Sequence, residues 1–165
     1  MGEWEKVKIG SFLKERESRF NPDEANKLGL KRIDKINFSG KIYLSENKQT
    51  KTNMILVKPG DLVISGINVE KGAIAVYNGE EDVLATIHYS SYKVNASKIN
   101  ITYFKWFLKS KVFKDIVNSK IRGGIKTELK PKKFLPLEID LPGIKEQEQI
   151  LNKISSIENE IKQLE

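Results

Sequence analysis

The chain contains no cysteine and one histidine, His88. Disulfides, thiolate metal sites and cysteine nucleophiles are therefore excluded, and a reducing compartment is the expected setting. His88 lies in an extended segment without a recognisable triad, where a lone histidine is ordinarily structural. Arginine is scarce: lysine supplies 25 of the 29 basic residues. No long apolar run occurs, and the opening Met-Gly-Glu-Trp-Glu-Lys is not a signal peptide, so a soluble cytoplasmic protein is expected. Glycine-rich phosphate loops of the P-loop or dinucleotide type are absent.

What is present suffices for a core. Of 165 residues 39% are hydrophobic and 31% charged, the composition of one domain with an appendage. The charge is unevenly placed. Lys93 to Lys133 carries eleven lysines and one arginine against Asp115 and Glu128, a local balance of +10 in a chain of +7, which leaves −3 for the remainder. Such a block is the footprint of a polyanion partner, nucleic acid above all. A solvated lysine-rich surface would give the same count.

Strand-like patterns dominate the first two thirds. Val7 and Ile9 alternate with lysines. Asn21-Pro22-Asp23-Glu24 reads as a turn or helix start, Leu30 to Asp34 as a short strand leading to the Ser39-Gly40 turn, and Ile42 to Leu44 as a brief apolar piece before a polar loop. Ile55 to Gly66 is a strand–turn–strand signal around Pro59-Gly60-Asp61. Gly72 to Tyr77 adds a strand, and Val83 to Val94 continues extended. These segments predict a curled β-rich sheet. Asn100 or Thr102 opens one helix to about Asn118, its Phe104, Phe107, Leu108 and Ile116 stripe facing the core and Lys105 and Lys109 lying across from it. Lys120 to Lys130 reads as a flexible basic loop.

The end of the chain has its own pattern. Leu137, Ile139 and Leu141 alternate with Glu138 and Asp140, a half-buried strand. Past Pro142-Gly143, the residues Ile150, Ile154, Ile157, Ile161 and Leu164 recur at spacings of four, three, four and three. That is a heptad seam, which either pairs with another helix or folds back on its own domain. The expected architecture is α+β: a β-rich domain over 1–143, then a coiled-coil helix over 144–165, about 33 Å long. The seam still runs at Leu164 without a Gly or Asn cap, which leaves a longer native helix or a cut end open.

Binding residues are easier to nominate than catalytic ones. Lys31, Arg32, Lys48, Lys51, Lys120, Arg122, Lys126 and Lys130 fall on expected loops or strand ends, where positive charge meets phosphates. Gly123 and Gly124 would allow close backbone approach, or form a turn. Asn68, Tyr89, Ser90 and Ser91, beside His88 and Tyr92, offer hydrogen-bonding heads for base edges. Asp23 followed by Glu46-Asn47-Lys48 has the residue order of a Mg²⁺-dependent nuclease, but Glu46 sits just past its apolar segment. No metal or catalytic site is assigned, and no amphipathic basic helix suits a membrane.

Trp4 to Gly10, Lys58 to Ser65, Gly72 to Ala75 and the closing run from Pro131 together resemble a specificity subunit of a type I restriction–modification system. The most telling piece is Pro136-Leu137-Glu138-Ile139-Asp140-Leu141-Pro142, followed by Glu146-Gln147 and Ile150. It is similar to the family's passage from target recognition domain into spacer helix. The resemblance implies a non-catalytic reader of double-stranded DNA. It implies methyltransferase partners that bind S-adenosylmethionine and methylate adenine, and a restriction subunit that uses Mg and ATP. Family members carry two recognition domains separated by antiparallel helices, whereas this chain has one of each. A half-subunit dimerising through Ile150, Ile154, Ile157, Ile161 and Leu164 and a fragment are both consistent with that difference. Two other readings stand beside it, a Mg-dependent nuclease and a coiled-coil interaction module without DNA affinity.

Overall fold

The strand patterns build layers in a computed structural model, which describes residues 3–47 and 49–164. Five strands form one sheet in the order β3 (Arg19–Phe20), β6 (Met54–Val57), β9 (Val83–Thr86), β4 (Arg32–Ile36), β5 (Ile42–Ser45). Four form a second, in the order β2 (Leu13–Glu15), β10 (Tyr89–Val94), β7 (Leu62–Ser65), β8 (Ile74–Val76). The single curled sheet expected from sequence is thus two packed sheets, because the chain changes sheet at its turns. The strands flanking Pro59-Gly60-Asp61 do not pair with each other: β6 pairs with β3 and β9, and β7 with β8 and β10. The buried Asp61 carboxylate fixes this crossover. It accepts two bonds from Arg16 (2.7 and 3.0 Å) and one from the Lys58 amide (3.0 Å).

Alternation along the strands allots side chains to layers. Ile55, Val57, Val83 and Ala85 meet Val63, Ala75 and Tyr77 between the sheets, while Met54 and Leu84 point outward to Ala25 of α1 (Pro22–Leu28). That helix begins with a capping box between Asn21 and Glu24. On the other side, Leu62, Ile64, Ile74 and Tyr92 pack against the helical layer. This layer comprises α2 (Ile101–Leu108), α3 (Lys111–Lys120) and the short α4 (Pro131–Phe134). Phe104, Phe107 and Leu108 are buried as the stripe required. The single helix expected over this stretch is broken in two. Ser110 caps α3 by accepting from the Phe113 amide and donates to the Phe107 carbonyl (2.6 Å).

The first and last strands meet. β1 (Glu5–Lys8) pairs antiparallel with β11 (Glu138–Leu141), burying Ile139 and Leu141 and exposing Glu138 and Asp140. From there α5 (Ile144–Leu164) departs, 21 residues and about 32 Å long. Its base is clamped by Gln147, which is 0% exposed. The Gln147 Oε1 accepts from the Asn100 amide (2.8 Å), and its Nε2 donates to the carbonyls of Lys98 and Pro142 (both 2.9 Å). Trp4 Nε1 donates to Glu146 beside it. Ile150 and Leu151 pack on the core, but Ile157, Ile161 and Leu164 are 56%, 52% and 88% exposed. The seam therefore starts on its own domain at Ile150, passes through half-exposed Ile154, and leaves the domain from Ile157 onward.

Gln147→Leu strands an amide and two carbonyls in a buried site. A loss of about 1–3 kcal/mol is expected in urea unfolding, with faster amide exchange at the base of α5. Unchanged stability would show that the clamp does not fix the helix.

Candidate nucleic-acid interface

β4 and β5 form a hairpin whose parity decides which residues face outward. Ile36 and Ile42 are cross-strand partners and pack into the inter-sheet core. Lys35 and Tyr43 are partners on the opposite face, with Lys41 in line. Both lysine ammonium groups lie 5.0 Å from the Tyr43 ring centroid. The connecting turn is locked by Asn37, whose Oδ1 accepts from the Ser39 amide and hydroxyl and the Lys41 amide (3.2, 2.7 and 2.8 Å). Phe38 projects from this turn, and Lys71 Nζ stands 5.7 Å from its ring.

Two lysines of the helical layer reach the same place. A side chain at Gly40 would fall on the ammonium of Lys105, and one at Gly72 on Lys109 and within 3.0 Å of the Phe38 carbonyl. Both glycines adopt positive φ, 93° and 89°, so the turn and the β7–β8 connection pack as closely as glycine permits. Lys105 and Lys109 are one helical turn apart, and the Lys105 pKa is lowered by burial first and by the Lys109 charge second. Among the described residues, Lys35, Lys41, Lys71, Lys105 and Lys109 take part in no ion pair. Five cations thus gather at one end of the sandwich without acidic partners.

The seven residues from Gly66 to Gly72 link this cluster to the basic loop that follows α3. Gly72 touches the hairpin turn, while Gly66 accepts from the Leu129 amide (2.9 Å) and donates to the His88 carbonyl (2.9 Å). His88 Nδ1 meets Glu128 at 3.0 Å. The loop expected to be flexible carries bonds of its own. Asn118 accepts from the Ile125 amide, and Thr127 donates to the Arg122 carbonyl. Arg122, Lys126 and Lys130 stay exposed on it. Gly123 and Gly124 have positive φ, and added side chains would strike Thr127 and Asn118. Their glycines are therefore demanded by the turn, and the Gly124 amide already donates to Ile121 (3.0 Å).

The other nominated residues divide. Asn68 is half-exposed on the bridging segment, next to exposed Ile67. Tyr89 is half-buried beneath the hairpin, where burial pushes its phenol above the ordinary range. Ser90 and Ser91 correct the expectation: both are buried, their hydroxyls donating to Tyr92 Oη and the Leu56 carbonyl (both 2.8 Å), so neither faces a base. Lys31 and Arg32 stand at the far end of β4, about 13 Å along the strand. Lys31 pairs with Glu46 (3.5 Å), and Arg32 donates to the Asn47 carbonyl (2.9 Å). Lys51 is exposed in the loop before β6, where neighbouring Thr50 is held by Asn26 of α1. Lys48 lies outside the described residues. Lys120 belongs to another surface, a cleft of about 870 Å³ between α2, α3 and the β1–β11 ribbon that also takes in Trp4 and Trp106.

Lys35, Phe38, Lys41, Tyr43 and Lys71 are not among the residues nominated from the sequence, where Lys105 and Lys109 read only as the polar face of a helix. A signal existed in the lysines bracketing the Asn37 to Gly40 turn. Their convergence with Lys71 and α2 depends on tertiary packing. Among the described residues no group of three or more His, Asp or Glu side chains is arranged to hold a metal ion. Nor is any helix there long and apolar enough to cross a membrane.

The fold has counterparts among solved structures. The HsdS subunit from Thermoanaerobacter tengcongensis superposes with a TM-score of 0.67 at 16% identity, over 98% of this chain and 44% of that one. A chain from a structure described as the basis of complex assembly and conformational transition of the type I R-M system gives 0.68 at 15% identity, over 99% and 44%. The chain thus spans under half the length of either. No curated protein sequence matches it. The family model for the type I restriction modification DNA specificity domain matches residues 1–165 in full, and the chain belongs to that family.

Proposed function

We propose that this chain reads duplex DNA with the end of the sandwich formed by the β4–β5 turn, the Gly66–Gly72 segment and the Arg122–Lys130 loop. The observation that carries this reading is the gathering of Lys35, Lys41, Lys71, Lys105 and Lys109 without acidic partners. Holding like charges together costs folding energy, and a phosphate backbone repays it. Asn68 and the hairpin lie among these cations, where a side chain can reach a base edge once phosphates have set the register. Membership of the specificity family supports the same reading. The chain itself performs no chemistry in this account. Methylation of adenine from S-adenosylmethionine, and cleavage requiring Mg and ATP, belong to methyltransferase and restriction subunits that it directs in the cytoplasm.

The exposed seam supports a second element of the proposal. Ile157, Ile161 and Leu164 in water are unfavourable unless another helix covers them. A second copy of α5 is a fitting cover, since each of the two solved chains that this one superposes on is somewhat more than twice its length. Two copies would then present two reading ends, one for each half of a split target.

Duplex affinity is expected to fall steeply with salt. Replacing Lys71, Lys105 and Lys109 by Gln should make the log–log slope shallower by about one unit per lysine that meets a phosphate. The same variant should melt at a slightly higher temperature at pH 7. Folded Lys105 holds its proton less tightly than an unfolded lysine, so its charge costs stability at neutral pH and the cost fades as pH rises toward the lysine range. The gap in melting temperature should therefore narrow near pH 10. An unchanged salt slope would remove these lysines from the interface.

Light scattering tests the helix separately. The chain is expected to be a dimer, and Ile157→Asp with Ile161→Asp a folded monomer. Equal mass for both would mean that the seam is reserved for a different partner.

A further inference from the structure

Phe38 is exposed over 50% of its surface, although burying a phenyl ring is worth about 1.5–3 kcal/mol. The turn that presents it is stiff. Asn37 ties down Ser39 and Lys41, Gly40 has φ 93°, and the Phe38 carbonyl packs against Gly72. The ring is held out by bonds on both sides, so its exposure is not a by-product of a loose loop. Around it stand ammonium groups: Lys71 beside the ring, Lys41 further along the turn, and Lys105 and Lys109 reaching the two glycines that flank it.

A single apolar ring among cations is a poor match for the common alternatives. A hydrophobic protein interface would have to desolvate the lysines at its centre. A lipid surface is gripped by a broad apolar face, and here the Phe38 ring stands at the apex of a two-stranded hairpin with ammonium groups around it. A duplex offers both complements at once, stacked apolar base faces between two lines of phosphates. Proteins that insert an apolar side chain between base pairs kink the helix, and the cost of unstacking depends on the step.

Resting on the DNA-reading function proposed above, we infer that Phe38 is a wedge that enters the base stack at one step of the target. Lys41, Lys71, Lys105 and Lys109 hold phosphates on either side. Selectivity then arises in part without hydrogen bonds to bases, because pyrimidine–purine steps open at the lowest cost. The recovered target is expected to carry such a step where the ring enters.

The test uses duplexes that the chain recovers from a randomised library, remade with 2-aminopurine at each position in turn. Binding of the unaltered chain should raise 2-aminopurine emission at one pyrimidine–purine step. Phe38→Ala should abolish that rise and lower discrimination between recovered and random duplex by about tenfold to a hundredfold. Its affinity for random duplex at low salt should fall far less than that for the recovered duplex, and Phe38→Leu should keep part of the emission rise. Sequence selection with no emission rise at any position, or a rise that survives in Phe38→Ala, overturns the wedge and leaves DNA reading standing. Failure of the unaltered chain to bind any duplex at low salt overturns both.

Discussion

Strand β7 has no side chain left for function, and the rest of the molecule follows from that constraint. Leu62 and Ile64 are consumed by the helical layer, Val63 by the second sheet, and even Ser65 is buried. A strand covered on both faces forces polar chemistry to its ends, where the chain turns back. At one end Asp61 and Arg16 satisfy each other and tie the crossover between sheets. At the other, Gly66 to Gly72 runs between the β4–β5 turn and the loop after α3. Charge collects there because the core excludes it elsewhere, and among the described residues none of the five lysines is in an ion pair. The proposed reading face is the edge that the sandwich leaves over.

The helical layer contributes twice. Its inner face supplies aromatic packing, with Phe104 and Phe113 each near Phe134. Its outer row delivers Lys105 and Lys109 to the hairpin. At the opposite margin the Asn100 amide, which precedes α2, meets Gln147 and sets the base of α5. The same layer therefore positions both the cationic face and the departing seam. In the proposed assembly, a second helix along α5 would set the distance between two reading ends through rigid contacts.

Local signals carried the fold well where they were self-sufficient. The alternation of Leu137, Ile139 and Leu141, the turn or helix start at Asn21 to Glu24, the helix opening at Asn100 or Thr102, and the heptad spacing after Gly143 each fall on a single element in the structure, with Asn21 and Asn100 as the caps. Tertiary choices were less legible. Pro59-Gly60-Asp61 has the composition of an ordinary hairpin turn, and only the partners of β6 and β7 show that the chain changes sheets there. Ser90 and Ser91 fall in a segment rich in polar heads suited to bases, yet their hydroxyls satisfy Tyr92 and a carbonyl within the core. Ser110, a good cap inside an apparently continuous helix pattern, broke that helix in two. The +10 block drew attention to lysine. Lys35, Lys41 and Lys71 lie outside it in sequence, and they join Lys105 and Lys109 only when the hairpin folds over the helical layer.

The most direct measurement of the central claim is lysine acetylation, read by mass spectrometry, with and without duplex DNA at low salt. Protection of Lys35, Lys41, Lys71, Lys105, Lys109 and Lys126 is expected, with Lys31 and Lys58 at the other end of the sandwich reacting as before. Protection of Lys31 and Lys58 with the hairpin lysines still fully reactive would contradict the account and place the duplex at the opposite end of the fold.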